Sequence, residues 1–146
     1  MLRMPNPTQI SPTEAQAKMA EGVPYVDVRT VEEFEAGHPA GAVNVPLNLL
    51  GASGMVPNAD FMKTMESSFP KDAPVILGCK SGGRSFRAAQ MLVDTGFATV
   101  FDQRAGWDGI RDAFGRLVEP GWARQALPAE PGQPSGRSWA DMRKTR

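Results

Sequence analysis

Short apolar segments alternate with amphipathic ones along most of the chain. The apolar or β-branched segments predict strands at 25–28, 42–46, 74–77 and 98–101. The segments with helical spacing, two of them opened by a capping box, predict helices within 12–21, 30–37, 61–70, 85–96 and 107–117. The run from Leu47 to Pro57 contains glycine, serine and proline without a clear period, so we expect a loop there.

This alternation of strands and helices predicts an α/β fold. Parallel neighbouring strands need crossover connections, and the predicted helices supply them, so the pattern favours a mainly parallel central sheet flanked by helices. At 146 residues the chain has room for one such domain, which we expect at 1–118. Residues 119–146 are rich in proline and glycine and are expected to form a C-terminal extension rather than more core. Two tryptophans, Trp122 and Trp139, are expected to anchor this extension on the domain or on a partner.

Charge and composition exclude several classes of function. Lysine plus arginine equals aspartate plus glutamate at 16 each, which argues against nucleic acid or a membrane surface as a partner. No apolar run is long enough to span a bilayer, and the first residues lack the apolar core of a secretory signal, so a soluble, cytoplasmic protein is expected. A single cysteine and a single histidine exclude an internal disulfide and favour no metal site and no cofactor.

The single cysteine lies in a glycine-rich loop, Gly78 to Ser85, directly after the predicted central strand. Ligands of parallel sheets bind at the carboxyl ends of the strands, which is where this loop falls. Helix N-termini and nearby cations activate a thiol by favouring its thiolate, and Cys79 has the following helix together with Lys80 and Arg84.

The glycines of the loop favour an anion site. Gly82 and Gly83 let the backbone curl so that successive N–H groups face one centre. Arg84 could then grip two oxygens of a small oxyanion with its planar guanidinium, and thiosulfate, sulfate, arsenate and phosphate all fit this description.

Two motifs resemble the rhodanese family of sulfurtransferases, in particular its single-domain members. The first is the run from Asp27 to Pro46, and the second is the loop from Cys79 to Ser85. The turn at 105–107, Ala-Gly-Trp, is similar to a turn near the end of such domains, and the resemblance covers about residues 8–118.

The resemblance implies a rhodanese-like three-layer sandwich and a catalytic Cys79 that carries sulfur as a persulfide. It implies thiosulfate as the donor because of Arg84, and Lys80 as a residue that attracts the anion. The acceptor would be cyanide or a thiol, including thioredoxin or another sulfur-relay protein. The backbone N–H groups expected to hold the persulfide are those of Ser81, Gly82, Gly83, Arg84 and Ser85.

Three polar residues of the first motif are expected to have mainly structural roles. Asp27 and Arg29 are predicted to form an ion pair at the end of their strand, with Arg29 a secondary candidate for facing the active site. His38 is far in sequence from the loop and is predicted to hydrogen-bond backbone.

Two other functions remain open from the sequence. A phosphatase or arsenate reductase of this fold would use a similar cysteine loop, but phosphatase loops have five residues between cysteine and arginine, whereas four separate Cys79 from Arg84. The loop also has no acidic residue to protonate a leaving alcohol. The second alternative is a non-catalytic rhodanese-like module that binds partners.

Overall fold

A five-stranded parallel sheet runs through the centre of the protein, in a computed structural model that describes residues 6–144. The strands are β1 (Thr8–Ile10), β2 (Tyr25–Asp27), β3 (His38–Pro39), β4 (Val43–Asn44), β5 (Asn48–Gly51), β6 (Gly54–Pro57), β7 (Val75–Gly78), β8 (Val100–Gln103), β9 (Gly109–Arg111), β10 (Leu117–Pro120) and β11 (Ala129–Glu130). The helices are α1 (Pro12–Ala20), α2 (Val31–Ala36), α3 (Phe61–Ser68), α4 (Gly83–Asp94) and α5 (Trp139–Met142), with a 3-10 turn at Trp122–Arg124.

The central sheet has the order β1-β8-β7-β2-β4, and each neighbouring pair is parallel. The predicted α/β class with a parallel sheet is therefore confirmed, as are four of its strands to within about two residues. The two predicted capping boxes are formed: Ser11 accepts a hydrogen bond from the Glu14 N–H, and Thr30 accepts one from the Glu33 N–H. These local bonds explain why α1 and α2 begin where the sequence indicates.

Two predicted elements are wrong, and three short strands elsewhere were not predicted. The expected loop at 47–57 is the antiparallel hairpin β5–β6, whose strands are too exposed to show an apolar alternation. The expected helix at 107–117 is the hairpin β9–β10, because the Asp112 carboxylate accepts bonds from the backbone N–H groups of Phe114 and Arg116 and closes a turn. The strands that were not predicted are β1, three residues at the sheet edge beside β8, and the two-residue strands β3 and β11, which pair with each other antiparallel.

The core lies on both faces of β7, whose four residues are all buried. Val75 and Leu77 join the larger apolar cluster, which includes α3 and α4, whereas Ile76 points to the opposite cluster with Tyr25 and Phe34. Alternate residues of the central strand therefore pack against different layers, as a sheet covered on both faces requires.

The C-terminal segment contributes to this core, which corrects the expectation that 119–146 adds none. Trp122 is fully buried, packs edge-on against Tyr25 with ring centroids 5.7 Å apart, and donates its indole N–H to the Pro128 carbonyl at 2.7 Å. Trp139 is buried in the other cluster. Both tryptophans thus pack on the domain, because a buried indole removes a large apolar area from water.

Some expectations concern residues that the structure does not describe. The first five residues, on which most of the signal-peptide argument rests, lie outside the described residues, as do 145 and 146 of the extension. No helix formed by residues 6–144 is long and apolar enough to cross a membrane.

Candidate active site

Cys79 directly follows the last residue of β7 and is separated from α4 by residues 80–82. Its side chain is buried, with 3% of the residue exposed, and its Sγ accepts a hydrogen bond from the Gly82 N–H at 3.1 Å. Helix α4 begins at Gly83, two residues earlier than predicted, so its amino end comes directly after this contact. The sulfur therefore lies at the amino end of a twelve-residue helix, where the dipole and the free N–H groups favour negative charge.

The two loop glycines have different roles. Gly82 has a φ of 101°, and a Cβ atom there would lie 2.5 Å from the Arg104 carbonyl oxygen, so both conformation and space require glycine. Gly83 is helical, and a Cβ atom there would meet nothing within 4 Å. Both glycines were expected to be needed for the loop conformation, but only Gly82 is required there by its backbone conformation and by the space around it.

The turn after β8 supports the cysteine loop through backbone hydrogen bonds. The Trp107 N–H donates to the Cys79 carbonyl at 2.7 Å, and the Asp108 N–H donates to the Lys80 carbonyl at 2.9 Å. Gly106 has a φ of 66°, and a Cβ atom there would lie 2.6 Å from the Cys79 carbonyl oxygen. Gln103 closes the turn by two side-chain hydrogen bonds with the Gly106 backbone, at 2.8 and 2.9 Å. The Ala-Gly-Trp turn is recognisable in the sequence, but its contacts with the backbone of Cys79 and Lys80 appear only in the fold.

Arg84 is engaged by an acidic residue from another helix. Its two terminal nitrogens donate to the two carboxylate oxygens of Glu33 at 2.7 and 3.0 Å. Burial favours protonation of Glu33, but the hydrogen bonds from Arg84 and Thr30 outweigh it and lower the pKa of Glu33 to about 2. The expected grip of Arg84 on an oxyanion would therefore require it to exchange Glu33 for the anion.

Glu33 is a residue of the site that the sequence pattern does not indicate. Its capping box was recognised, but nothing in the local pattern indicated a contact with a residue 51 positions later. The same carboxylate binds Arg84 and completes the capping box, since its Oε1 also accepts a hydrogen bond from the backbone N–H of Thr30 at 3.1 Å. The ion pair thus links the start of α2 to the first turn of α4.

The remaining loop residues differ in exposure. Lys80, Ser81 and Gly83 are exposed, and Lys80 forms no ion pair within residues 6–144. Ser85 is buried and donates its hydroxyl to Asp102 at 2.5 Å, while burial raises the pKa of Asp102 against the effect of this bond. The backbone N–H groups at 83–85 form no backbone hydrogen bond within the described residues, which leaves them available to an anion.

Arg29 and Asp27 form the predicted ion pair at the end of β2. The guanidinium donates to the carboxylate with a shortest distance of 2.7 Å, and it also donates to the Gly37 carbonyl at 2.6 Å. Its guanidinium carbon lies 5.0 Å from the centre of the Trp107 ring. These contacts hold Arg29 in a buried structural position beneath the turn that supports the loop, and none of them joins it to residues 79–85.

His38 is structural, as predicted. The ring is fully buried, stacks on Phe34 with centroids 3.6 Å apart, and has its Nδ1 2.7 Å from the Phe34 carbonyl oxygen. Its Nε2 lies 3.2 Å from Glu130 in β11, so it also ties the C-terminal segment to the domain. Within residues 6–144 there is no group of three or more His, Cys, Asp or Glu side chains suited to a metal ion.

Cavity size does not identify the reactive centre in this protein. A groove of about 650 Å³ lies between the β5–β6 hairpin, α3 and α4, lined by residues such as Met62, Phe86 and Met91, but by none of residues 79–85. A smaller cleft of about 280 Å³ lies beside the loop and is lined by Ser81 and by residues 108–111. Cys79 lines neither cavity, so we place the site at the cysteine loop itself, where the thiol accepts the Gly82 N–H and the N–H groups of 83–85 have no backbone partner within the described residues.

Comparisons with known proteins agree with this geometry. A family model described as a Rhodanese-like domain matches residues 11–113. Thiosulfate sulfurtransferase 16, chloroplastic, of Arabidopsis thaliana is 40% identical over 124 residues, which cover 85% of this chain and 93% of that protein. Thiosulfate sulfurtransferase GlpE of Pseudomonas fluorescens is 33% identical over 114 residues, covering 77% and 93%.

A solved structure supports the same conclusion. The crystal structure of Rv0390 from M. tuberculosis aligns with a TM-score of 0.72 and 27% identity, over 88% of this chain and 100% of that one. Some other curated relatives are longer, and this chain spans 56% and 61% of the length of two of them. From the family model, the relatives and the shared fold, the chain belongs to the rhodanese family of sulfurtransferases.

Proposed function

We propose that the protein transfers a sulfane sulfur from thiosulfate, or from another anionic donor, to a thiophilic acceptor through a persulfide on Cys79. The observation that carries the proposal is the position of the thiol. Its Sγ accepts the Gly82 N–H at 3.1 Å at the amino end of α4, with the N–H groups of 83–85 free of backbone partners within the described residues. Such an array of N–H groups stabilises a negative charge on sulfur. The names of the relatives at 40% and 33% identity support the same reaction.

The chemistry needs one thiol and no cofactor. The Cys79 thiolate attacks the outer sulfur of thiosulfate, a new S–S bond forms, and the bond to the inner sulfur breaks so that sulfite leaves with the electron pair. The persulfide carries the negative charge on its outer sulfur, within reach of the loop N–H groups. Cyanide or a thiolate then attacks the outer sulfur and restores the Cys79 thiolate, releasing thiocyanate or a new persulfide.

The proposal extends to partners and location. A protein thiol, such as thioredoxin or another sulfur-relay protein, is a candidate acceptor because Lys80 and Ser81 are exposed beside the buried thiol. A cytoplasmic location also stays a prediction, and one relative described above is named chloroplastic.

The intact mass of the reduced protein before and after addition of thiosulfate tests the proposal. We expect the wild type to gain the mass of one sulfur atom and to lose it on addition of cyanide, with release of thiocyanate. Cys79→Ala should gain none. A wild type that takes up no sulfur while Cys79 is still alkylated would contradict the proposal and favour a phosphatase or a non-catalytic binding module, which hydrolysis of an aryl phosphate would separate.

A further inference from the structure

The loop contains two cationic residues, Lys80 and Arg84, and the structure pairs only Arg84 with an acidic side chain within the described residues. Arg84 is 15% exposed and has both terminal nitrogens on Glu33, which is 27% exposed. Lys80 is exposed and forms no ion pair within residues 6–144. An arriving anion therefore meets the free charge of Lys80, while the charge of Arg84 is already neutralised.

The contact between Arg84 and Glu33 has the geometry that an oxyanion would otherwise take. Two parallel N–H to oxygen bonds from one guanidinium to one carboxylate are the strongest arrangement available to arginine. The hydrogen bond to Glu33 also raises the pKa of Arg84, and the nearby Cys79 contributes further to this rise. Arg84 lies in the first turn of α4, whose amino end follows the Cys79 loop, and its guanidinium is bound to Glu33.

Glu33 is itself held in place. Its Oε1 accepts bonds from the Thr30 backbone N–H and hydroxyl at 3.1 and 3.0 Å, so the cap of α2 holds the carboxylate in the position from which it binds Arg84. An anion that competes for Arg84 must therefore draw the guanidinium away from a carboxylate that is already held in place.

We infer that Glu33 determines the affinity of the site for anionic donors by neutralising Arg84, and that Lys80 with the loop N–H groups receives the donor. This inference rests on the proposed function for its biological meaning, but it concerns anion binding and can be tested without sulfur transfer. Glu33 is thus a positioning residue that affects anion affinity through Arg84.

The test measures how sulfate slows the alkylation of Cys79 by iodoacetamide, which reports an apparent dissociation constant for the anion. Glu33→Gln removes the negative charge but keeps an acceptor for the capping box, in which glutamine is also favoured. We expect this variant to bind sulfate about 3- to 10-fold more tightly than the wild type, because the charge of Arg84 becomes available. Glu32→Gln is the matched control, since Glu32 is exposed, adjacent and not paired with Arg84, and it should stay within twofold of the wild type.

A double variant distinguishes this inference from the alternative that Arg84 binds the anion in the wild type. Glu33→Gln combined with Arg84→Gln removes both charges of the pair, so sulfate affinity should stay within about threefold of the wild type. Lys80→Gln should weaken it by roughly 3- to 10-fold, as loss of one free cation near an anion predicts. If Arg84 grips the anion in the wild type, the double variant would instead lose as much affinity as Lys80→Gln.

Three results would overturn the inference: Glu33→Gln binding sulfate no better than Glu32→Gln, the double variant losing affinity as described, or no protection by sulfate in the wild type. Failure of the proposed function has a different signature, namely no gain of sulfur mass by the wild type in thiosulfate. The two failures are therefore distinguished by separate measurements on the same protein.

Discussion

The pair of glycines in the loop offers a sharp test of how the cysteine is positioned. Alanine at Gly82 would place a Cβ atom 2.5 Å from the Arg104 carbonyl oxygen, in a backbone conformation with a φ of 101°. Alanine at the adjacent Gly83 would meet nothing within 4 Å and would lie in the first turn of a helix. The same chemical change at neighbouring positions should thus have opposite effects.

The magnitudes follow from these two environments. A left-handed conformation disfavours an L-residue by about 1–2 kcal/mol. The contact with Arg104 is with backbone, which cannot rotate away, so further strain brings the loss of unfolding free energy for Gly82→Ala to roughly 2–4 kcal/mol. Gly83→Ala should be neutral or stabilise the protein by up to about 1 kcal/mol, because alanine restricts the unfolded chain and suits a helix.

Function should change in the same direction as stability. The Gly82 N–H is the group that donates to the Cys79 sulfur, so movement of residue 82 should weaken that bond and slow both alkylation of Cys79 and sulfur uptake by about tenfold. Urea unfolding followed by tryptophan fluorescence and the rate of alkylation by iodoacetamide are the two measurements. If Gly82→Ala unfolds at the same urea concentration as Gly83→Ala and reacts equally fast, the loop geometry described here is not what positions the thiol.

Three further predictions concern the C-terminal segment, the ion pair and the supporting turn. Trp122→Ala should lower the free energy of unfolding by about 3–5 kcal/mol because the indole is fully buried. Phe114→Ala, at a site 82% exposed, should change it by less than about 0.5 kcal/mol. Equal effects of the two substitutions would contradict the packing. The pKa of Glu33 is lowered to about 2, so its ion pair stabilises the folded state above about pH 4.5, and this contribution is lost as the pH falls towards 2. The free energy of unfolding should therefore decrease less on acidification for Glu33→Gln than for Glu32→Gln. Identical curves for the two variants would refute this. Gly106→Ala, which would bring a Cβ atom 2.6 Å from the carbonyl oxygen of the cysteine, should reduce sulfur uptake more than tenfold in the intact-mass assay, and full uptake would show that the turn does not support the loop.

Local sequence determined the start of two capped helices, the central strand and the loop that contains the single cysteine. Ser11 and Thr30 cap their helices through hydrogen bonds three residues away, so the neighbouring residues contain all the information that those helix starts need. The apolar run at β7 and the glycine-rich segment after it likewise indicated a buried strand followed by a loop around Cys79. The family resemblance of these same segments is confirmed by the family model.

The exposed hairpins could not be predicted from the spacing of apolar residues along the chain. In β9–β10 the spacing of apolar residues indicated a helix, but Phe114 is 82% exposed and the turn is closed by the Asp112 carboxylate. Such a strand pair is stabilised by its own cross-strand bonds rather than by a buried face, so no alternation of apolar and polar residues marks it.

Only the tertiary structure decided which groups surround the thiol. The contacts of Arg84 with Glu33, of Trp107 with the Cys79 carbonyl and of Trp122 with Tyr25 join residues that are 51, 28 and 97 positions apart. Caps and strands are formed by neighbours in the chain, whereas the partner of a charged or aromatic side chain depends on how the layers pack. The sequence by itself therefore singled out Cys79 and its loop, whereas the packing of α2 and α4 decided that Arg84 is paired with Glu33.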